Sequence, residues 1–415
     1  MNHGPLHAQR VVRWSGKAGL FGLVVAIYLL PDSPVPALDV LRLVVTGVAA
    51  LALVSGGQGR VHASMWPYLL YLGAVAMAAL WSPTQAGLGE VTIQALFVAI
   101  VFAVRRLFDT PASMGAGLVG VVAGASAVLL QAVFDSLQAP AADRLFGYPS
   151  VPQWSGYPEL GVLACLGASA TMATTAIGRS GTFRAASAVL ATLFCAAALV
   201  LYSRLAWVTI ALVAAWLAAV AFLRWRKAAL MLLVAALCGL FLVAAVSSRL
   251  VSRYAASLFE VWDSPQLSMR MHGWSAALSM LSDNPFLGVG PGNYSEAYPK
   301  YSTHRDPTHA YNMVLHVGAE LGLVGLAAFL LMWGRALALT FRAAACTQAG
   351  VLAFAVHGLL LAFFVRSLGE QFLANIGPAP RFVLLLGVMF GLAEAVGSRR
   401  PAQACAARHD VSMRC

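Results

Sequence analysis

The stretch AYNMVLHVGAELGLVGLAAFLLMW, residues 310–333, indicates the fold class of this chain. It contains no lysine, arginine or aspartate, and it exceeds the roughly 20 apolar residues that a helix needs to cross the hydrocarbon core of a bilayer. We therefore predict that it forms a membrane-spanning helix. One acidic residue, Glu320, lies within it, and an ionisable group inside a membrane helix points by default to function.

The rest of the chain has the same character, because 60% of its 415 residues are hydrophobic and only 10% are charged. This composition excludes a soluble domain. We predict a single all-α, polytopic membrane domain over residues 1–415, a helical bundle with about 12 transmembrane helices. The predicted spans are residues 16–30, 37–55, 65–81, 88–104, 114–135, 157–177, 185–202, 205–223, 228–247, 310–333, 349–366 and 381–397.

The distribution of charge gives the predicted bundle an orientation. Lysine and arginine recur in every second loop, as the positive-inside rule requires of cytoplasmic loops, and most acidic residues fall in the alternate loops. Both termini are then cytoplasmic, and the one long loop, residues 248–308, is external. No basic patch with interleaved aromatic residues is present, so the net charge of +11 does not indicate nucleic acid as a partner.

The long external loop should contain short amphipathic helices. In QLSMRMHGWSAALSMLSDNP, residues 266–285, steps of four and three predict an apolar helix face that lies on another part of the protein: Leu267, Met271, Trp274, Leu278 and Leu281. Arg270 points toward this apolar side. Two interpretations fit it: the guanidinium binds an anion, for which phosphate is the best match, or its charge snorkels to water.

The next segment, NPFLGVGPGN, residues 284–293, cannot be helical because Gly288, Gly290 and Gly292 surround Pro291. Its backbone N–H groups either form an anion-binding nest or only shape a turn. Both interpretations stay open on the sequence alone.

A polar stripe follows on the helix that we predict to begin near His309. Spacings of three, four and four put His309, Asn312, His316 and Glu320 on one face, with His309 at the external mouth. Such a stripe faces the bundle interior or a water-filled cavity. For His316 and Glu320, a role as hydrogen-bonded packing residues is the alternative. Farther along the helix, G-x-x-G at Gly322 and Gly325 should let a neighbour approach closely.

Arg204 is the second unusual cation. In LVLYSRLAWVTI, residues 199–210, it interrupts a long apolar run where the topology predicts a tight external turn. A residue that only marks topology would lie in a cytoplasmic loop, so this position favours a functional arginine.

Several motifs are absent from the sequence. No D-x-D motif occurs, which disfavours a metal-bound sugar-phosphate mechanism. None of the six cysteines lies in a predicted external loop, and none has metal-type C-x-x-C spacing. We expect no structural disulfide, no metal and no cofactor.

The segments YSRLAW (202–207), SMRMHGWSAALSMLSDNPFLGVGPGNY (268–294) and THAYNMVLHVGAELGLVGL (308–326), in this order, resemble the O-antigen ligase and polymerase superfamily. The resemblance implies an enzyme at the periplasmic face of the bacterial inner membrane. It implies a metal-independent, inverting glycosyltransferase whose donor is a glycan on undecaprenyl diphosphate. A ligase transfers the finished glycan to a sugar hydroxyl of lipid A-core, whereas a polymerase joins repeat units.

The resemblance also implies roles for individual residues. His309 aligns with the histidine proposed as general base for the acceptor hydroxyl, and Arg204 and Arg270 align with arginines that hold the donor diphosphate. Arg305 extends this anion site or belongs to a solvated rim. The supporting positions are Asn312, Trp274, Gly290 and Gly292. Here Ala310 and Tyr311 separate Asn312 from the histidine, whereas many relatives have the polar residue directly after it.

A ligase is the leading hypothesis, because the chain has one large external loop and polymerases often divide this material between two. The alternatives are an O-antigen polymerase and, from a different class, a transporter of lipid-linked glycans without chemistry. A transporter should line a path through the bilayer with ionisable groups on several helices. The partners implied are the lipid-linked donor, lipid A-core and membrane lipids.

Overall fold

The computed structural model describes residues 65–107, 111–138, 157–177, 180–200, 204–224, 265–304, 309–346, 350–370 and 379–397. Within these ranges the ordered elements are helices, and no β-strand occurs. The all-α class predicted from the sequence is therefore confirmed for the described part of the chain.

The described helices are numbered in chain order. The first six are α1 (Trp66–Leu80), α2 (Ala86–Leu107), α3 (Pro111–Gln138), α4 (Tyr157–Ile177), α5 (Gly181–Val200) and α6 (Arg204–Arg224). They are followed by α7 (Pro265–Asp283), α8 (Tyr294–Tyr301), α9 (Met313–Cys346), α10 (Gly350–Ser367) and α11 (Ala379–Gly397).

Every predicted span that falls on described residues coincides with one of these helices. The predicted spans at residues 16–30, 37–55 and 228–247 lie outside the described residues. Four described helices are long and apolar enough to cross a membrane: Ala86–Arg106, Ser113–Leu130, Gly181–Ala198 and Met313–Ala344. By length and composition these helices are those of a membrane protein.

Helix α9 connects much of the described bundle, because it packs against α1, α7, α10 and α11. An aromatic cluster reinforces this arrangement. The ring centroid of Phe390 on α11 lies 5.8 Å from Tyr68 on α1, 5.7 Å from Phe97 on α2 and 4.8 Å from Trp333 on α9. All three pairs are edge-to-face, which is a favoured geometry for aromatic rings. The cluster therefore fastens four helices to one another.

Helix α9 is longer than predicted, since it reaches Cys346. The charge pattern predicts a cytoplasmic loop at Arg335, just after the predicted span 310–333, but the residue lies inside this helix. Its Nε donates to Glu394 Oε1 on α11 at 3.0 Å, and Tyr68 Oη donates to the same oxygen at 3.2 Å. The Glu394 side chain is only 2% exposed. A buried carboxylate needs such partners, so Arg335 serves to join two helices.

Helix α7 exists as predicted, but it buries a different face. The buried residues are Gly273, Ala276, Ala277 and Met280, whereas Met271 and Leu278 of the predicted row are more than half exposed. The face with small residues is the buried one, because these residues let α7 approach its neighbours closely. A Cβ at Gly273 would lie 3.5 Å from the carbonyl oxygens of His309 and Ala310. Met271 and Leu278 face outward, as on a helix at a membrane interface, while Leu267, Trp274 and Leu281 of the same row are half-buried.

Helix α9 has a break at Gly322, whose φ of 65° and ψ of −167° are not helical. In a continuous helix, the N–H groups of Leu323 and Val324 would donate to the carbonyls four residues earlier. Here Leu323 N donates to Pro285 O at 2.7 Å, and Val324 N donates to Phe286 O at 3.4 Å. The segment 284–293 therefore replaces hydrogen bonds that the helix gives up.

The carbonyls on the other side of the break are satisfied by the same segment. Ala319 O accepts from Val289 N at 2.9 Å, and Glu320 O accepts from Gly290 N at 3.0 Å. The two backbones come so close that a Cβ at Gly288 would lie 2.3 Å from the carbonyl carbon of Glu320. Gly322 thus permits the close approach predicted for this glycine, and the segment that approaches is the loop 284–293.

This backbone exchange predicts that Gly322→Ala is strongly destabilising. The new Cβ would lie 2.3 Å from the backbone of Phe286, at dihedrals that are open almost exclusively to glycine. We expect a loss of about 2–4 kcal/mol, measured as a lower thermal unfolding midpoint in detergent micelles. Gly334→Ala is the matched control, since it lies on the same helix with nothing within 4 Å of its Cβ. Equal midpoints for the two variants would contradict the role of the break.

Candidate active site

Several of the predicted site residues lie around a short segment, Leu368, Gly369 and Glu370, that follows the C-terminal end of α10. Glu370 is 7% exposed, and it had not been singled out in the sequence. Side chains from α7, from the segment before α9 and from α6 contact these residues. The segment therefore organises the candidate site.

Arg270 of α7 makes the strongest of these contacts. Its Nη2 donates to Glu370 Oε1 at 2.6 Å, and its Nη1 donates to Gly369 O. Its guanidinium carbon also lies 5.3 Å from the ring centroid of Tyr311, which is within range of a cation–π contact. The sequence predicted an anionic partner for Arg270, and in the structure this partner is a carboxylate of the same chain.

His309 lies on the other side of the same carboxylate. Its Nε2 is 3.8 Å from Glu370 Oε2, a distance that suits an ion pair and exceeds that of a hydrogen bond. Its ring centroid is 4.2 Å from that of Tyr311. The imidazole is 21% exposed, so it remains open to a ligand.

The prediction that His309 belongs to a helix face is wrong, because α9 begins at Met313. Asn312 is the reason that the helix starts there. Its Oδ1 accepts from Val314 N at 2.9 Å and from Leu315 N at 3.1 Å, as an N-cap does. Its Nδ2 donates to Leu368 O at 3.0 Å. The cap thus fixes the end of α9 against the Glu370 segment and leaves His309 in the preceding loop.

Arg204 is the first residue of α6, and Leu205 follows it directly. A Cβ at Gly369 would lie 2.2 Å from Cδ2 of Leu205, so this end of α6 abuts the Glu370 segment. Three of the predicted site residues therefore lie on elements that meet at one point.

Arg305 lies outside the described residues. Lys300, five residues before it in the sequence, is exposed and pairs with Asp283 at 3.4 Å.

The glycine-rich segment 284–293 has a structural role. The N–H groups of Val289 and Gly290, which an anion nest would need, donate to α9 carbonyls. Gly290 and Gly292 have φ of 93° and 76°, and both approach the turn between α1 and α2. Asn293 holds that turn, because its Nδ2 donates to Ser82 Oγ at 2.5 Å. These contacts favour the interpretation that the glycines shape a turn over the interpretation that they form an anion-binding nest.

His316 and Glu320 do share a face of α9, as predicted, and both are buried. The Nε2 of His316 lies 3.5 Å from Glu320 Oε1, which accepts from Tyr294 N at 3.1 Å. The Tyr294 hydroxyl in turn donates to Gly273 O at 2.7 Å. These contacts favour the packing role for Glu320, since they tie α9 to α8 and α7. Both ring nitrogens of His316 are buried without a hydrogen-bond partner among the described residues. Trp274 lies one residue beyond Gly273, and its indole N–H is buried.

The family model described as O-antigen ligase matches residues 187–330. The match spans most of α5, all of α6, α7 and α8, and the first part of α9, and it includes His309, Arg270 and Arg204. The chain carries a domain of the O-antigen ligase family. No curated protein matches the chain. Proteins of this family are glycosyltransferase-like membrane enzymes, and the match supports the predicted superfamily over residues 187–330.

Glu370 lies beyond the matched O-antigen ligase domain, yet its carboxylate lies beside two residues of that domain. Burial alone would raise its pKa. Interactions with His309 and the positive charges of Arg270 and Arg366 outweigh this effect and hold the pKa of Glu370 below its usual value. At neutral pH, Glu370 is therefore ionised beside Arg270 and His309.

Arg366 is a second residue that the sequence did not reveal. It is only 2% exposed, and it lies in the last turn of α10, four residues before Glu370. The only signal in the sequence was the spacing in RSLGE, which places a cation and an anion at the external end of a predicted span. Within the described residues, no group of three or more His, Cys, Asp or Glu side chains is arranged to hold a metal ion.

The low pKa of Glu370 predicts how stability depends on pH. A carboxyl whose pKa is lower in the folded state contributes stability above its unfolded pKa of about 4.3, and this contribution is lost as pH falls through the folded pKa. At pH 7 we expect Glu370→Gln to be less stable by about 1–3 kcal/mol, because Arg270 loses its counter-charge. Thermal unfolding at pH 7 and below pH 4 should show this difference shrinking in acid. A difference that is constant with pH would contradict the ionised pair.

Proposed function

We propose that this protein is an O-antigen ligase of the bacterial inner membrane. It transfers a glycan from undecaprenyl diphosphate to a sugar hydroxyl of lipid A-core at the periplasmic face. The family match supports the class of enzyme. The observation that carries the proposal is the meeting of His309, Arg270 and the Arg204 end of α6 at the Glu370 segment.

In the proposed reaction, the oxygen of the acceptor hydroxyl attacks the anomeric carbon of the donor sugar. The bond from this carbon to the diphosphate oxygen breaks, and its electron pair leaves with undecaprenyl diphosphate. His309 takes the proton of the acceptor hydroxyl, a task that suits an imidazole because histidine titrates near neutral pH. Its partial exposure leaves room for the acceptor.

The leaving group gains negative charge as the bond breaks, so cations must be held beside it. We assign this task to Arg204 and Arg270, with Arg305 as a further candidate. A guanidinium offers a planar fork of N–H groups that matches phosphate oxygens. The sequence contains no D-x-D motif that would hold a metal for this purpose. The proposed mechanism therefore relies on arginine side chains.

The distribution of basic residues along two helices supports a periplasmic site. Helix α2 begins beside the Asn293 segment and ends with Arg105 and Arg106. Helix α9 begins at the His309 loop and carries Arg335 and Arg342 in its second half. The basic residues of both helices thus lie at the end away from the site, which the positive-inside rule assigns to the cytoplasm.

An O-antigen polymerase is the second candidate, because the family match does not specify the acceptor. Both enzymes would use the same donor, base and arginines, so the acceptor alone separates them. The single long external loop predicted from the sequence favours the ligase.

Reconstitution with defined substrates tests the proposed reaction. Purified protein, mixed with an undecaprenyl-diphosphate glycan and lipid A-core in the presence of a chelator, should attach the glycan to lipid A-core. The product is detected by its slower migration on a gel. Polymerised donor with unmodified lipid A-core would favour the polymerase, and the absence of any transfer would contradict both enzymes.

Substitutions at the site test the individual roles. His309→Ala should lower turnover by about 10²-fold or more, the usual contribution of a general base, with donor binding largely retained. Arg204→Ala and Arg270→Ala should weaken donor binding or turnover by about tenfold or more. His272→Ala is the control, since this exposed histidine lies on α7 outside the proposed machinery. An active His309→Ala enzyme would remove the base assignment, and unchanged kinetics for both arginine variants would end the diphosphate assignment.

A further inference from the structure

Glu370 occupies the position between the two groups that the proposed reaction uses. One carboxylate oxygen, Oε1, pairs with Arg270 at 2.6 Å, and the other, Oε2, faces His309 Nε2 at 3.8 Å. The Arg270 contact is at hydrogen-bond distance and the His309 contact is not. The carboxylate therefore forms an ion pair with Arg270, and its second oxygen faces His309 without a hydrogen bond.

We propose, resting on the function proposed above, that Glu370 is a positioning residue that exchanges partners during the reaction. The donor diphosphate takes its place on the Arg270 guanidinium, and the released carboxylate closes on His309. A residue outside the matched family domain would thus couple donor binding to the readiness of the base.

The first half of the exchange follows from charge. Arg270 directs its Nη2 at Glu370 and its Nη1 at Gly369 O, so both arms of its fork are occupied. A diphosphate that uses this fork must displace at least the carboxylate, because two anions on one cation repel each other at short range. Glu370 consequently competes with the donor for Arg270.

The second half follows from geometry. A charge-assisted hydrogen bond between an imidazole nitrogen and a carboxylate oxygen is about 2.7–2.9 Å long. From the present 3.8 Å, Glu370 Oε2 needs to move only about 1 Å to reach His309 Nε2. Arg366, in the last turn of α10, adds positive charge near the carboxylate. The Asn312 contact to Leu368 O anchors the Glu370 segment during this movement.

The exchange matters at the step in which the acceptor hydroxyl gives its proton to His309. The imidazole becomes an imidazolium, and no other electron pair or atom is transferred to the protein. A carboxylate beside this new charge stabilises it, as the acidic partner of a catalytic histidine does in other enzymes. Glu370 itself keeps its charge and touches neither substrate.

Glu370→Gln separates this role from a structural one, because glutamine keeps the shape and removes the charge. Binding of the undecaprenyl-diphosphate glycan should become tighter by about tenfold, since Arg270 loses its competitor. Turnover at saturating donor should fall by about tenfold or more, since the imidazolium loses its partner. A purely structural residue would weaken binding and turnover together. Glu296→Gln is the matched control, an exposed acid on α8 that should change neither quantity.

Glu370→Asp provides the second arm, because aspartate keeps the charge on a shorter side chain. Its turnover should exceed that of Glu370→Gln, and the reverse order would show that shape matters and would overturn the proposal. Donor binding by Glu370→Gln that is weaker than or equal to wild type would also overturn it.

The binding measurement distinguishes failure of the exchange from failure of the ligase assignment. Wild-type protein that binds donor but does not modify lipid A-core fails the ligase assignment alone. Donor affinity of Glu370→Gln then still decides the exchange. Wild-type protein that binds no donor overturns both proposals.

Discussion

The break in α9 at Gly322 is the constraint on which the arrangement of the site depends. Backbone N–H and C=O groups in a membrane helix have no water to bond, so a break leaves groups that must find other partners. The segment 284–293 supplies them through bonds on both sides of the break. Because this segment connects α7 to α8, its insertion also fixes where α7 lies. The position of Arg270 next to the His309 loop is thus a consequence of a helix that is not continuous.

Charge pairing around Glu370 provides the second level of organisation. Arg270, His309 and Arg366 come from three parts of the chain, and each acts on one buried carboxylate. Close approach makes this pairing possible, since Gly273 and Gly369 let the His309 loop and α6 pack tightly at the site. A site of this kind holds positive charge for an anionic donor, and without the donor Glu370 neutralises part of that charge. The proposed ligase chemistry uses that readiness.

The sequence predicted the helices of the described residues well, and it failed where a choice between faces or partners was needed. For α7, periodicity located a helix, but both an apolar row and a row of small residues ran along it. The small residues are buried because they permit close backbone contact. For His309, spacing suggested a helical stripe, yet the Asn312 cap starts the helix after it. Three spans predicted near the N-terminus and after α6, and Arg305, lie outside the described residues.

What the sequence by itself determined is the membrane-embedded helical class, the spans of the described helices and the motifs shared with the O-antigen ligase family. These are local properties, because hydrophobic length and motif order can be read along the chain. Only the tertiary structure decided that Glu370 lies between Arg270 and His309. Arg270 and Glu370 are 100 residues apart in sequence. No periodicity relates two such residues, and the packing of α7 and α10 against α9 alone brings their charges together.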